Sequence, residues 1–236
     1  MIKLGERLAA VARYVAPGTT VADIGTDHAL LPLFLVEQGI SPRAVAVDVA
    51  DGPYTAALQA VRERGLTQLV DVRLGDGLSV VRPGEADVLV LAGMGGNTIR
   101  EILDASPEVV EKASRIIVQP MEQQAAIRQW FASHGWAIVD EELVEESNRL
   151  YQVIAAERGE PWDATPLEME VGPLLVKSKH PLLPRYLAGL LQKYEKILQG
   201  MEKSRRDLPA QREIEEKVAR LRSLLADLFS PKPDPN

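Results

Sequence analysis

The sequence contains no cysteine and only three histidines among its 236 residues. The missing thiols exclude disulfides, thiolate-bound metals and a cysteine nucleophile, and no His and Asp cluster has the spacing of metal ligands. No apolar run is long enough to cross a bilayer, and the N-terminus lacks the apolar core of a signal peptide. With 46% hydrophobic and 26% charged residues, the composition therefore predicts a globular, cytoplasmic protein without a metal or a membrane partner.

Positive charge is scarce over the chain as a whole, with 27 Lys and Arg against 34 Asp and Glu. The cations are concentrated between residues 177 and 222, a segment that contains twelve Lys or Arg and six Asp or Glu. That segment carries a net charge of +6. Because the whole chain carries −7, the remaining residues carry −13. This distribution argues against nucleic-acid binding over the whole surface and leaves a local contact with a polyanion open.

Strand-like runs alternate with helical periods between residues 20 and 135. This order predicts an α/β fold of the Rossmann-like, doubly wound class, in which helices cover both faces of a mostly parallel sheet. Two further strand-like runs, joined by a polar turn at Asn148, predict an antiparallel hairpin at the sheet edge. Residues 1–158 form this domain in the prediction.

The C-terminal third has a different pattern. Residues 159–180 are rich in proline and turn residues and read as a connector. Apolar residues then recur at spacings of three and four over residues 181–230, which predicts two amphipathic helices in a coiled-coil-like hairpin, with Pro209 able to open the second. We expect the proline-rich tail, residues 231–236, to be disordered.

The carboxyl end of the first predicted strand reads DIGTDHA. Ligands of open α/β sheets bind beyond such strand ends, and a dinucleotide would require the glycines of GxGxxG there. Asp23 and Asp27 would repel a pyrophosphate, whereas they suit a ligand with a positive centre and an amino group. The sequence therefore disfavours a nicotinamide oxidoreductase.

Two later strand ends supply further acids. Asp48 follows Asp23 by 25 residues, about the spacing at which an acid accepts both hydroxyls of a ribose. Asp76, in the turn Gly75-Asp76-Gly77, can accept a hydrogen bond from the 6-amino group of an adenine. A cationic, adenosine-bearing cofactor without phosphate is S-adenosylmethionine.

Each of these residues also has a purely structural interpretation. Asp23 and Gly25 could be a buried cap and a turn, as in any α/β protein. Asp27 or His28 could cap the helix that follows, because side-chain oxygens and negative charge are favoured at helix N-termini. Asp48 and Asp76 could be solvated strand ends, and the basic C-terminal residues a solvated face. The glycines of Ala92-Gly93-Met94-Gly95-Gly96 could serve only a tight turn, although they also let a flat substrate approach the backbone closely.

With DIGTDHALLP, VDVADGP, GDGL, AGMGG and a Gln-Pro pair in this order, the sequence resembles the bacterial tRNA adenine N1-methyltransferases that modify adenine 22, the TrmK family. The resemblance covers essentially the whole chain. It implies a class I methyltransferase fold with S-adenosylmethionine as cofactor, tRNA as partner and a coiled-coil-like C-terminal domain. Two positions depart from the family pattern, since Asp48 stands where Glu is frequent and Met121 where Asn often follows the Gln-Pro pair.

The motifs and the resemblance together predict three groups of site residues. The cofactor group comprises Asp23, Gly25, Asp27, His28, Asp48, Asp76, Gly77, Ala92, Gly93 and Met94. The RNA group comprises Gly95, Gly96, Gln119, Pro120, Lys193, Lys196, Lys203, Arg205 and Arg206. Asp27 and Gln119 are the candidates for a catalytic role, because they could stabilise the positive charge of a methylated adenine.

The expected function is thus the transfer of a methyl group to adenine N1 in tRNA, by a monomer or a weak dimer. Adenine N1 has its own lone pair, so no strong general base is required. Two alternatives stay open at this point. One is a methyltransferase that acts on a small molecule or a protein and dimerises through the hairpin, and the other is a binding module without catalysis.

Overall fold

The computed structural model describes residues 2–160, 163–204 and 208–229. These residues fall into two compact units, with the boundary between Asp163 and Ala164. The predicted disordered tail, residues 231–236, lies outside the described residues, as do Arg205 and Arg206 of the predicted RNA group.

Seven strands form one sheet in the order β3-β2-β1-β4-β5-β7-β6. The strands are β1 (Val21–Ile24), β2 (Ala44–Asp48), β3 (Val70–Leu74), β4 (Val88–Met94), β5 (Arg115–Pro120), β6 (Trp136–Glu146) and β7 (Arg149–Arg158). The first five pair in parallel, whereas β7 pairs antiparallel with both β5 and β6. This confirms the predicted mostly parallel sheet with an antiparallel hairpin.

In the first unit one α-helix precedes β1, and the other α-helices follow individual strands. The helices are α1 (Glu6–Arg13), α2 (Leu30–Glu37), α3 (Asp51–Glu63), α4 (Gly96–Asp104), α5 (Pro107–Lys112) and α6 (Gln124–Ser133). The sequence prediction missed the short helix α5. A six-residue segment is too short to reveal a helical period, and only Pro107 at its first position signals a helix start.

The central strands are apolar on both faces because helices cover both sides of the sheet. All four residues of β1 and the first four of β2 and β4 are buried. β1 lies between β2 and β4, so the order of the sheet reverses between β1 and β4. In such sheets this switch point is where ligands bind, beyond the carboxyl ends of the strands.

The β6–β7 hairpin turns through two residues, Ser147 and Asn148, whose φ angles are 50° and 62°. Positive φ at both positions matches the right-handed twist of the flanking strands, and Asn tolerates it better than most residues. A buried ion pair fixes the hairpin against α6, since Nε of Arg128 lies 2.7 Å from Oε1 of Glu141 and both side chains are fully buried. The sequence predicted the hairpin but not that β7, its second strand, would be the one to join β5.

The second unit contains the predicted helical hairpin and two additional helices. The four elements are α7 (Pro166–Val171), α8 (Pro173–Lys177), α9 (Leu183–Ser204) and α10 (Leu208–Phe229). Arg222 of α10 pairs with Glu195 of α9, with Nη2 and Oε1 2.7 Å apart. This ion pair joins α9 to α10 side by side.

Residues 159–180, which the sequence predicts as a connector, contain the two short helices α7 and α8. Pro166 and Pro173 are the first residues of these two helices, where a missing N–H costs nothing. Thr165 caps α7 reciprocally. Its Oγ1 accepts a hydrogen bond from the Glu168 backbone N–H, and a Glu168 carboxylate oxygen accepts one from the Thr165 N–H.

Candidate active site

A cleft of about 430 Å³ opens at the carboxyl ends of β1, β2, β3 and β4, with α4 as its far wall. It is lined by Ile24, Gly25, Val47, Asp48, Val49, Gly75, Asp76, Gly77, Leu78, Ser79, Met94, Thr98, Glu101, Ile102, Ala105 and Ser106. Five residues of the predicted cofactor group are therefore in its wall, namely Gly25, Asp48, Asp76, Gly77 and Met94. The position is the one expected from the switch point.

At the end of β2 the cleft combines an acid with an apolar surface. Asp48 is the last residue of the strand, and its Oδ1 accepts a hydrogen bond of 2.9 Å from the Ala50 N–H, which fixes the carboxylate. The next residue, Val49, is 69% exposed although it is apolar. An exposed valine beside an ordered carboxylate offers an apolar contact next to an acceptor for hydroxyl groups. No motif in the sequence indicates Val49.

The turn after β3 approaches α4 closely. Gly77 has a φ of 55°, and a Cβ atom there would lie 2.8 Å from Cγ2 of Ile102. A larger residue would be strained and would also push α4 away from the cleft. Glycine at this position therefore sets the width of the cleft beside Asp76.

The turn after β1 is covered by Met94. Gly25 has a φ of 74°, and a Cβ atom there would lie 2.5 Å from Cε of Met94. The N–H groups of Gly25 and Thr26 both donate to the carbonyl of Val47 at 2.9 Å. The ends of β1, β2 and β4 are thereby held in contact at the centre of the cleft.

Asp23 lies beneath this turn and is not part of the cleft wall. It is 6% exposed, and its Oδ2 accepts a hydrogen bond of 2.6 Å from the Thr26 hydroxyl. Burial raises the pKa of Asp23 from 3.8 to about 6, against the opposing effects of Thr26 and of the positive charge of Arg7. A carboxyl with this pKa is costly to ionise, and such groups are frequent at functional sites.

Asp27 and His28 are exposed at the rim of the β1 turn, with Asp27 Oδ1 3.2 Å from His28 Nε2. His28 and Ala29 both have positive φ, 55° and 51°, which is uncommon for residues other than glycine. The N-cap of α2 is Ala29, and no side chain caps the helix. The capping interpretation of Asp27 and His28 is therefore wrong, whereas the cofactor role of the two residues stays a prediction.

Gly93 of the predicted cofactor group lies at the end of β4, and Gly95 and Gly96 of the predicted RNA group follow the strand. Gly93 is the extra residue of a β-bulge against β5 and has a φ of 82°. A Cβ atom on Gly96 would lie 2.5 Å from the backbone oxygen of Gln123, so no larger residue fits at the start of α4. The N–H of Met121 donates to the carbonyl of Met94 at 2.9 Å, which joins this turn to the one after β5.

Gln119 is completely buried at the end of β5. Its Oε1 accepts a hydrogen bond of 2.7 Å from Nη1 of Arg7, and its Nε2 lies 3.3 Å from the carbonyl of Pro120 and 3.6 Å from Sδ of Met121. Met121 itself is 46% exposed. The side chains at the surface here thus include Met121, with Gln119 behind it, and a catalytic role for Gln119 stays a prediction.

Two features at or beside the cleft are not predicted by the sequence motifs. The first is Arg7, whose position at the site depends on Gln119, a partner far away in the sequence. The second is the cleft-facing side of α4, formed by Thr98, Glu101 and Ile102 and continued by the C-cap residue Ala105. Their spacing of three and four residues places them on one helical face. The mixture of polar and apolar residues on that face is the sequence signal that could have indicated a cleft-facing side.

The cleft is acidic. Among the residues that the structure describes, those lining it include three acids, Asp48, Asp76 and Glu101, and no Lys or Arg. Acids without compensating cations create a negative potential that favours a cationic ligand and disfavours a phosphate. These three carboxylates therefore fit the sulfonium, hydroxyls and amino groups of S-adenosylmethionine.

Lys193 and Lys196 of the predicted RNA group are exposed on α9, with Nζ of Lys193 5.6 Å from the centre of the Tyr194 ring. The side chain of Lys203 lies outside the described residues. Within the described ranges, no helix is long and apolar enough to cross a membrane. The same ranges contain no group of three or more His, Asp or Glu side chains arranged for a metal ion.

Comparison with known proteins defines the class. Residues 4–154 match the family described as a methyltransferase domain, and these residues include the whole acidic cleft. The chain is therefore a member of the methyltransferase class.

Closer relatives define the particular family. The chain is 38% identical over 210 residues to the tRNA (adenine(22)-N(1))-methyltransferase of Bacillus subtilis (strain 168), covering 85% of this chain and 88% of the relative. It belongs to that family, which confirms the resemblance noted in the motifs.

Solved structures agree. The crystal structure of the B. subtilis m1A22 tRNA methyltransferase TrmK matches with a TM-score of 0.85 and 33% identity, over 98% of this chain and 100% of that chain. A putative tRNA (m1A22) methyltransferase from Streptococcus pneumoniae, solved in complex with S-adenosyl-L-methionine, matches with a TM-score of 0.81 and 31% identity, over 93% of this chain and 98% of that chain.

Proposed function

We propose that this protein transfers a methyl group from S-adenosylmethionine to N1 of adenine 22 in tRNA. The observation that carries the proposal is the acidic cleft without basic residues at the switch point, in a chain that belongs to the tRNA (adenine(22)-N(1))-methyltransferase family. A site for a phosphate-bearing cofactor would require the opposite charge.

Three cleft residues hold the cofactor in this proposal. The Asp48 carboxylate accepts hydrogen bonds from the ribose hydroxyls, and the Asp76 carboxylate accepts one from the adenine amino group. Val49 packs against the adenine ring. Charge-assisted hydrogen bonds of this kind are the stronger ones in proteins. The cofactor supplies a methyl group already activated on its sulfonium, so the protein's task is mainly alignment.

The acceptor base approaches at the ends of β4 and β5. Gly95 and Gly96 leave the backbone accessible to a flat ring, and the exposed side chain of Met121 offers an apolar contact. Adenine becomes cationic as N1 gains the methyl group. The Asp27 carboxylate and the carbonyls from Ala92 to Gly96 are the groups that we propose to stabilise that charge.

The second unit is the proposed tRNA-binding domain. Exposed lysines such as Lys193 and Lys196 would neutralise RNA phosphates, which supplies affinity without sequence information. Because the enzyme must meet tRNA, we also propose a cytoplasmic location. We propose that it acts as a monomer or a weak dimer.

The test is direct. The full chain is incubated with methyl-labelled S-adenosylmethionine and unmodified tRNA, and the RNA is digested to identify the methylated nucleoside. We expect 1-methyladenosine, and none from a matched tRNA with guanine at position 22. Equal labelling of both tRNAs would overturn the position, and labelling of a protein or small molecule alone would overturn the substrate class. Raising the salt concentration gives a second criterion, because only transfer to RNA should weaken steeply.

A further inference from the structure

The proposed acceptor site has a carboxylate beside it that no motif in the sequence indicates. Glu122 follows the last residue of β5 by two positions and is exposed. Its Oε1 lies 3.5 Å from the position that a Cβ atom on Gly95 would occupy, and its Cγ lies 3.9 Å from the same point. The side chain therefore lies beside Gly95, where the acceptor base is proposed to approach the backbone.

The backbone of this segment is fixed against the turn after β4. The N–H of Met121 donates a hydrogen bond of 2.9 Å to the carbonyl of Met94, and the N–H of Gly96 donates one of 3.0 Å to the carbonyl of Glu122. A Cβ atom on Gly96 would lie 2.9 Å from that same carbonyl oxygen. The position of Glu122 relative to the turn is thus set by backbone contacts.

The N-terminus of α4 does not use the Glu122 carboxylate as a cap. Its N-cap residue is Gly95, and its first N–H group is bonded to a backbone carbonyl. The next N–H, that of Asn97, donates to Oε1 of Gln123 at 3.3 Å. Within the described ranges, the carboxylate of Glu122 has no hydrogen-bond or ion-pair partner. It is therefore available to a ligand.

The cofactor cleft reaches the same glycine. Met94 and Thr98 line the cleft, and Oγ1 of Thr98 is 3.9 Å from the Cβ position of Gly95. A ring placed at Gly95 is therefore within reach of both the cleft wall and Glu122. In adenine the 6-amino group is attached to the carbon next to N1, so a base that turns N1 to the cleft has an amino group beside it for a carboxylate to accept.

We propose that the Glu122 carboxylate accepts a hydrogen bond from the 6-amino group of the acceptor adenine. The inference deepens the proposed function and rests on it, because it takes adenine as the methylated base. Guanine has a carbonyl oxygen in place of this amino group, and a carboxylate repels it. Glu122 thus makes the site selective for adenine by a favourable contact with one base and an unfavourable contact with the other.

The same hydrogen bond strengthens during the reaction. The N1 lone pair forms a bond to the methyl carbon while the carbon–sulfur bond breaks and its electron pair stays on sulfur. The base becomes a cation and no proton has to leave. Because the 6-amino nitrogen is conjugated with N1, it takes part of the new charge and becomes a stronger donor. Glu122 therefore stabilises the transition state more than the bound substrate.

The test uses two tRNAs that differ only in the 6-amino group at position 22. One carries adenine, and the other carries purine, which keeps N1 and its lone pair. Single-turnover methylation by the full chain is measured for the wild type and for Glu122→Ala. We expect the substitution to lower the rate on adenine by about 10- to 100-fold and the rate on purine by less than about threefold. The intrinsic difference between the two bases cancels, because each rate is compared between the two proteins.

A binding measurement gives a second readout that requires no turnover. Filter binding compares unmodified tRNA with tRNA that carries 1-methyladenosine at position 22, whose base is a cation at pH 7. Glu122→Ala should weaken binding of the methylated tRNA by about tenfold and binding of the unmodified tRNA by a smaller factor. Glu122→Gln keeps an acceptor oxygen without the charge, so its effect on both measurements should be intermediate.

Glu108→Ala is the matched control. Glu108 is an exposed acid in the first turn of α5 and does not line the cleft. Its replacement removes the same charge near the start of a helix, and we expect it to change neither rate. Thermal unfolding of both alanine variants shows whether they are folded.

Two results would overturn the inference. An equal loss of rate on adenine and on purine in Glu122→Ala would make Glu122 a structural residue at the start of α4. An unchanged rate on adenine would make it a solvated side chain. Failure of the proposed function is distinct. A wild type that methylates neither tRNA removes both proposals, whereas a wild type that methylates adenine 22 with the same preference over purine as Glu122→Ala removes only this inference.

Discussion

The guanidinium of Arg7 and the amide of Gln119 are joined by a hydrogen bond of 2.7 Å although 112 residues separate them in the sequence. The bond attaches the first helix to the end of the fifth strand, next to the bulge at Gly93. Gln119 is fully buried, so an apolar replacement would leave the Arg7 donor without this acceptor. The N-terminal helix is thereby fixed to the end of β5.

Replacement of Asp48 by asparagine should weaken cofactor binding by about 10- to 100-fold, because hydrogen bonds to a charged acceptor contribute about 1.5–3 kcal/mol. The asparagine oxygen can still accept the N–H of Ala50, so the turn should persist and the melting temperature should change little. Calorimetry with S-adenosylmethionine measures the effect. Asp51→Asn removes the same charge three positions away, outside the cleft wall, and should bind the cofactor normally; a similar loss there would remove Asp48 from its proposed role.

Asp23 should make the folded protein less stable as the pH rises. Its folded-state pKa is raised from 3.8 to about 6, so between these values the folded state binds more protons than the unfolded state. The free energy of unfolding therefore falls by up to about 3 kcal/mol across this window, and the loss is complete above it.

Asp23→Asn removes the titration and can still accept the Thr26 hydroxyl. Its stability relative to the wild type should be greater at pH 8 than at pH 4.5, as measured by urea unfolding at both values. A difference that is the same at both pH values would contradict the raised pKa.

Gly96→Ala should destabilise the first unit by about 1–3 kcal/mol, the usual cost of overpacking. The new Cβ atom would lie 2.5 Å from the backbone oxygen of Gln123, and backbone cannot move aside as a flexible side chain can. Gly189→Ala is the control, because that helical glycine has no atom within 4 Å of its added Cβ and should gain about 0.5–1 kcal/mol. Thermal unfolding distinguishes the two, and a neutral Gly96→Ala would show that the turn can relax.

Replacement of Lys193 and Lys196 by glutamine should weaken tRNA binding and make it less dependent on salt. Each lost phosphate contact lowers the slope of log K against log salt by roughly 0.7–0.9. Filter binding of unmodified tRNA at several salt concentrations measures the slope. The control replaces Arg62 and Lys112, two exposed cations of the first unit, with glutamine. If the slope of log K against log salt fell equally in both double variants, the second unit would have no special part in RNA binding.

Much of the site could be predicted because strand ends are visible in the sequence. The buried runs of β1, β2 and β4 mark where each strand stops, and parallel strands bring those stops to one edge. Gly25 and Asp48 can be located in this way, and Asp76 by the turn Gly75-Asp76-Gly77 that follows the strand-like run before it. Asp23 was assigned to the cofactor by the same reasoning, but the structure buries it beneath the turn, since in a strand covered on both faces side-chain direction does not reveal accessibility.

By itself, the sequence determined the fold class, the parallel order of alternating elements, the terminal hairpin pattern and the acidic character of the strand ends. These properties are encoded in local periodicity and residue type. Only the tertiary structure decided that β7 lies beside β5, that residues 166–171 and 173–177 are helical, that Val49 and α4 complete the cleft and that Arg7 reaches Gln119. Contacts between residues far apart in the chain depend on how whole elements pack, and no local pattern specifies that packing.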